Sequence, residues 1–154
     1  MPAAHRPAFF GRPRPRPGEE GEEITPRGAA VVVGIVLISH SGPLAAEVAL
    51  LAAQVGGAGV PLAAAGGAED GGLGTSPDLV AAAIAEVDRG DGVILIPDLG
   101  SAVLTARLFE EERVVVADVP FVEGAIAATV SAGAGSPLEA VLAAAEEART
   151  FRKL

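Results

Sequence analysis

31-VVVGIVLISHSGPLAAEV-48 decides how this chain is read. Residues 31–39 form an apolar run rich in β-branched side chains, without the alternation of a half-buried strand. That is the pattern of a central parallel strand covered on both faces. The run ends in Ser39-His40-Ser41-Gly42-Pro43. Proline is well accommodated in a helix's first turn, so a helix is predicted over 44–55, ended by Gly56 and Gly57. His40 therefore stands where a buried strand hands over to a helix. The only other histidine, His5, lies among prolines and arginines.

The same alternation continues outward. A weaker strand is expected over 60–65, then a Gly-rich stretch, 66-GGAEDGGLGT-75. Lacking the Lys and the strand-to-helix context of a phosphate cradle, this stretch reads as a mobile surface loop. Ser76-Pro77 is a helix cap and first residue, with helix over 78–88. Strong buried strands follow at 92-GVILIP-97 and 113-RVVVAD-118, separated by 98-DLGSA-102 and a helix over 102–112. Helices over 123–134 and 137–149, the second capped by Ser136, complete the order β-α-β-α-β-α-β-α-α. Such alternation predicts an α/β fold: a mostly parallel central sheet, right-handed crossovers and helices on both faces.

Composition bounds the rest. The 154 residues suit one domain, and half are apolar, with five Phe and no Trp or Tyr. The core must be built from Ala, Val, Leu and Ile. Proline-dense 1–28 is expected to be a disordered leader, and 29–154 the folded domain. No cysteine is present, which excludes disulfides, thiolate metal sites and cysteine nucleophiles. No segment approaches the roughly 20 apolar residues of a spanning helix, and no signal-peptide pattern opens the chain. The expectation is a soluble, cytoplasmic protein without a membrane partner.

Net charge is −9, and the five Arg and four Glu of 1–28 leave 6 basic against 16 acidic residues beyond them. An acidic body repels nucleic acid and anionic lipid and suits a partner with a basic docking face. Solubility alone explains the charge equally well.

In open α/β sheets, ligands bind beyond the carboxyl ends of the strands. Three segments should converge there: Ser39–Gly42, Gly74–Ser76 and Asp98–Ser101. Each leads into a helix whose first N–H groups are free for an anion such as phosphate. His40 is the best nucleophile or general base among them. A free imidazole has a reference pKa of about 6.5 and is mostly neutral near pH 7. One ring nitrogen can attack phosphorus while the other donates to a carboxylate, and Asp98, ending a strong strand, is the natural one. Two readings stay open for each residue: His40 as nucleophile or as a strand-end histidine, and Asp98 as imidazole orienter or as helix cap. One histidine without HxH or HxxxH spacing argues against a metal site. No G-x-S-x-G elbow, P-loop or G-x-G-x-x-G is present.

33-VGIVLISHSGPLAAEVALLAAQV-55, 72-GLGTSPDLVAAAI-84, 93-VILIPDLGSAVLTA-106 and 119-VPFVEGAIAATVSAGAG-135 together carry a resemblance. They resemble the phosphotransferase subunits of phosphoenolpyruvate-dependent dihydroxyacetone kinase, relatives of the mannose-type IIA domains of sugar phosphotransferase systems. The resemblance spans about 31–149. It implies that His40 takes phosphate from the carrier protein HPr, through Nε2. It implies onward transfer to ADP on the kinase's nucleotide-binding subunit, whose ATP then phosphorylates dihydroxyacetone on a third subunit. Asp98 would orient the imidazole, with Ser41, Gly42, Gly74, Thr75, Gly100 and Ser101 around the phosphate. Glu123 would serve docking or packing. A homodimer is implied, and no cofactor or metal. A sugar-transport IIA domain would carry glycine after the histidine and a D-L-x-G-G-[S/T]-P-like stretch. Ser41 and "DLGSA" favour the kinase subunit. A non-catalytic α/β regulatory module explains the strands but not the converging His40, Thr75 and Asp98.

Overall fold

The fold, taken from a computed structural model, is described for residues 30–154. The leader 1–28 and His5 lie outside the described residues. The elements are β1 (Gly34–Ser39), α1 (Gly42–Gly56), β2 (Leu62–Gly66), α2 (Pro77–Val87), β3 (Val93–Pro97), α3 (Gly100–Arg107), β4 (Val114–Val116), α4 (Phe121–Gly133) and α5 (Leu138–Glu147). The strands pair in parallel in the order β2-β1-β3-β4. The expected α/β architecture is present, with β1 and β3 at its centre.

Both central strands are buried along their whole length, which explains their lack of alternation. Ile35 and Leu37 face a core shared with α1, α4 and α5. Val36 and Ile38 face the opposite core, shared with α2 and α3. Each such side chain contributes roughly 1.5–3 kcal/mol of transfer free energy. Small residues let the helices close in: a Cβ on Gly56 would lie 2.5 Å from Thr129 of α4. Any larger residue there would push α1 off α4.

Several boundaries differ from the sequence expectation. The strand expected as strong and buried over 113–118 is only Val114–Val116, at the edge of the sheet, with Val115 and Val116 partly exposed. β1 starts at Gly34 rather than 31, because the Val32 N–H is taken by Asp91 Oδ2 at 2.8 Å instead of a ladder carbonyl. α3 stops at Arg107 rather than 112. Leu108, Phe109 and Glu110 donate three residues back, and Glu111 pairs with Val114 in a tight turn into β4. Ser136 does not cap α5. Pro137 occupies the cap without a side-chain bond, and the Ser136 N–H instead closes the preceding turn onto the Ser131 carbonyl at 3.3 Å.

The strand order fixes where a site can form. From β1 the chain passes through α1 to β2 on one side, while β3 lies on the other. The segments leaving β1 and β3 diverge, opening a crevice at the carboxyl edge of two paired strands. Ile38 faces Pro97 in the ladder, so Ser39-His40 and Asp98 emerge side by side.

Candidate functional site

Asp98 is the hub of this crevice. Its Oδ1 accepts from His40 Nδ1 at 2.8 Å and from the Leu99 N–H at 2.7 Å. Its Oδ2 accepts from the Ser39 hydroxyl at 2.8 Å and from the His40 N–H at 3.0 Å. Burial pushes the Asp98 pKa up, but bonds from the His40 and Ser39 side chains and the His40 and Leu99 N–H groups outweigh it. The carboxyl is held below its ordinary value. Asp98 is therefore not the α3 cap. Leu99 takes that position, without a side-chain bond, and the carboxylate faces the imidazole.

A carboxylate only accepts, so the proton of this contact sits on His40 Nδ1, and in the neutral ring Nε2 carries the lone pair. Nε2 points outward and accepts from the Ser101 hydroxyl, at the first turn of α3. The His40 side chain is 26% exposed against 10% for Asp98. One ring nitrogen is thus anchored inside while the other is open to a reactant.

The turn around His40 is fixed from three sides. Ser41 caps α1, accepting from the Leu44 N–H at 3.3 Å. Its own N–H donates to the buried Ser39 hydroxyl at 3.0 Å. Gly66, at the end of β2, touches the start of α1: a Cβ there would lie 2.6 Å from the Ser41 carbonyl and 2.7 Å from Gly42 Cα. Gly74, with φ +143° that L side chains rarely adopt, donates its N–H to the His40 carbonyl at 3.0 Å. The stretch before it, expected as a mobile surface loop, is a set of turns. Ala68 and Gly72 are bonded through their backbones, and Gly72 donates to Asp70.

The three segments thus meet as expected. Thr75 joins the group through the Thr105 hydroxyl on α3, at 2.9 Å. Gly100 opens α3, where first-turn N–H groups have no intrahelical acceptor. Gly42 does the same for α1. Glu123 stands apart: it lies in the first turn of α4 and pairs with Lys153 at 3.0 Å. The bond from Lys153 holds its carboxyl below the ordinary value.

Two residues escaped the sequence reading. Ser39, fully buried, ties the carboxylate to the start of α1. Its signal was a polar residue ending an otherwise apolar central strand. Thr105, also buried, looked like helix interior. Among the described residues, no cluster of three or more His, Cys, Asp or Glu stands close enough to hold a metal ion, and no helix is long and apolar enough to cross a membrane.

The site is thus an imidazole hydrogen-bonded on both ring nitrogens beside two helix N-termini, and comparison with known proteins gives the family of the chain. The family model described as "PTS system fructose IIA component" matches residues 34–142. A dihydroxyacetone kinase phosphotransferase subunit DhaM of Lactococcus lactis is 37% identical over 111 residues, covering 70% of this chain and 89% of the relative. The phosphoryl donor subunit DhaM of Pantoea ananatis is 37% identical over 121 residues. There the match covers 72% of this chain but only 26% of the relative, so this chain spans about a quarter of that protein. A crystal structure of EF1359, a protein of unknown function, superposes with TM-score 0.67 at 31% identity, covering 75% of this chain and 94% of that one. The chain belongs to the mannose-type IIA family, among the DhaM phosphotransferase subunits of dihydroxyacetone kinase.

Proposed function

We propose that this protein is the phosphocarrier of a phosphoenolpyruvate-dependent dihydroxyacetone kinase, cycling through phospho-His40. The observation that carries this reading is the 2.8 Å contact of Nδ1 with Asp98, which leaves the Nε2 lone pair outward. In the forward step that lone pair attacks the phosphorus of a phosphohistidine on HPr. The donor's P–N bond breaks and its electron pair returns to the donor ring. The phosphorylated His40 ring keeps its Nδ1 proton and carries positive charge, which the Asp98 carboxylate balances at contact distance. In the second step a terminal phosphate oxygen of ADP, held by the kinase's nucleotide-binding subunit, attacks phosphorus. The N–P bond breaks and its pair returns to Nε2.

Such transfers need positioning and charge stabilisation more than covalent help from the protein. Ser101 turns its hydroxyl from Nε2 to a phosphoryl oxygen, where a bond to charge is roughly twice as strong as a neutral one. First-turn N–H groups at Gly42, Gly100 and Ser101 supply further donors, and Gly74-Thr75 closes the third side. Leu73 and Leu99, 83% and 63% exposed beside Gly74 and Asp98, offer an apolar rim for a protein donor. The working form proposed is a homodimer in the cytoplasm.

Incubation with phosphoenolpyruvate, enzyme I and HPr tests the reading. One acid-labile, base-stable phosphate per chain is expected, and none on His40→Ala. Adding the two kinase subunits should then move that phosphate to dihydroxyacetone. A retained label on His40→Ala, or no label on the wild type, overturns the proposal.

A further inference from the structure

Thr105 makes a bond that its place in the helix does not require. Its hydroxyl donates to the Ser101 carbonyl four residues back, at 3.1 Å. A buried helical threonine commonly back-bonds in this way. Thr129 does so in α4, donating to the Ala125 carbonyl at 2.7 Å. Thr105 differs in having a second partner from another segment: the Thr75 hydroxyl, 2.9 Å away, on the loop that also grips the His40 carbonyl through Gly74.

Proton accounting gives this contact a direction. Each hydroxyl has one proton and two lone pairs. While Thr105 donates to Ser101, Thr75 must donate to Thr105, so the Thr75 proton is committed to α3. If Thr105 rotates its proton onto Thr75 Oγ1, the Thr75 proton is released for another acceptor. Ser101 loses little, because a helical carbonyl also accepts the N–H four residues on.

We propose that Thr105 is a positioning residue whose hydroxyl switches between the Ser101 carbonyl and Thr75, turning the Thr75 proton toward the phosphoryl group once His40 carries one. This rests on the phospho-His40 reading. In the empty site the chain runs Thr75 to Thr105 to the Ser101 carbonyl. In the phosphorylated site it runs Thr105 to Thr75 to a phosphoryl oxygen. The exchange replaces a neutral bond with a charge-assisted one, and the phosphate itself drives it. Thr105 never touches the phosphate.

Single-turnover transfer from phospho-HPr tests this with Thr75→Val, Thr105→Val, Thr105→Ser and the Thr75→Val/Thr105→Val double variant. Loss of the Thr75 donor should slow transfer about tenfold, the scale of one hydrogen bond to a charged group. Thr105→Val should slow it roughly three- to fivefold through lost orientation, and Thr105→Ser should restore the wild-type rate. The double variant should be no slower than Thr75→Val alone, because Thr105 acts only through Thr75. Thr105→Ala carries the same comparison if the valine variant does not fold. Wild-type rates in Thr105→Val, an equal defect in Thr105→Ser, or an undiminished Thr105 effect in the Thr75→Val background would each overturn the switch and leave phospho-His40 standing. A wild-type protein that takes no label on His40 would sink both.

Discussion

Two aspartates bracket β3, and each reaches across to the chain at one end of β1. At the amino end, Asp91 accepts one bond, from the Val32 N–H at 2.8 Å. At the carboxyl end, Asp98 accepts four, one of them from an imidazole. The first closes off a strand that has run out of ladder. The second stands where two helices begin and the chain order switches. A carboxylate beside a strand end is therefore a structural device by default. What distinguishes Asp98 is that a histidine and a buried hydroxyl are delivered to the same two oxygens.

Asp98→Asn should break the comparison most visibly. An amide can offer only one oxygen, so the Nδ1 tautomer is no longer enforced. Phosphoryl transfer should fall on the order of 10²–10⁴-fold, the scale seen where a carboxylate fixes a catalytic tautomer. A transfer rate near wild type in a folded variant would remove the orienter role. Gly66→Ala comes next, because its Cβ would press on the Ser41 carbonyl. A loss of about 1–3 kcal/mol is expected by denaturant titration, and unchanged stability would mean the crevice floor is more yielding than described.

Acid sharpens the contrast through Asp98. Its folded pKa is lowered below 3.8. The stability it contributes is present in full above that ordinary value and is lost as pH falls through the lower, folded one. The Asp98 share of the stability gap between wild type and Asp98→Asn should thus shrink on acidification below about pH 4. A gap that widens there has the sign wrong. Asp91→Asn keeps an oxygen for the Val32 N–H, so it should cost no more than about 1 kcal/mol and leave transfer intact. A transfer defect there would dissolve the distinction between the two ends.

The fold was legible because β1 and β3 are buried on both faces and so leave unbroken apolar runs, a pattern that the short edge strand β4 shares in sequence but not in burial. His40 and Asp98 were legible as candidates because each follows such a run. Their pairing was expected because each ends a strong strand, but the atoms that meet were not legible, since parallel register is set by pairing across 58 steps of chain and no local pattern encodes it. For the same reason the local sequence leaves the cap reading of Asp98 open, and the register of Ile38 opposite Pro97, with Leu99 as the cap, closes it. Ser39 and Thr105 were missed because a hydroxyl's value lies in which atoms meet it. Ser136 misled because a serine before proline is as good a turn closer as a cap. Glu123 drew notice by resemblance, yet its contact is an exposed pair with Lys153.

The central claim is that Asp98 holds the Nδ1 proton so that Nε2 takes the phosphate. Long-range ¹H–¹⁵N correlation of the His40 ring, recorded after incubation with phosphoenolpyruvate, enzyme I and HPr, reads this directly. The account predicts a phosphoryl group on Nε2 with Nδ1 protonated. Phosphate on Nδ1, or on any residue other than His40, would contradict it.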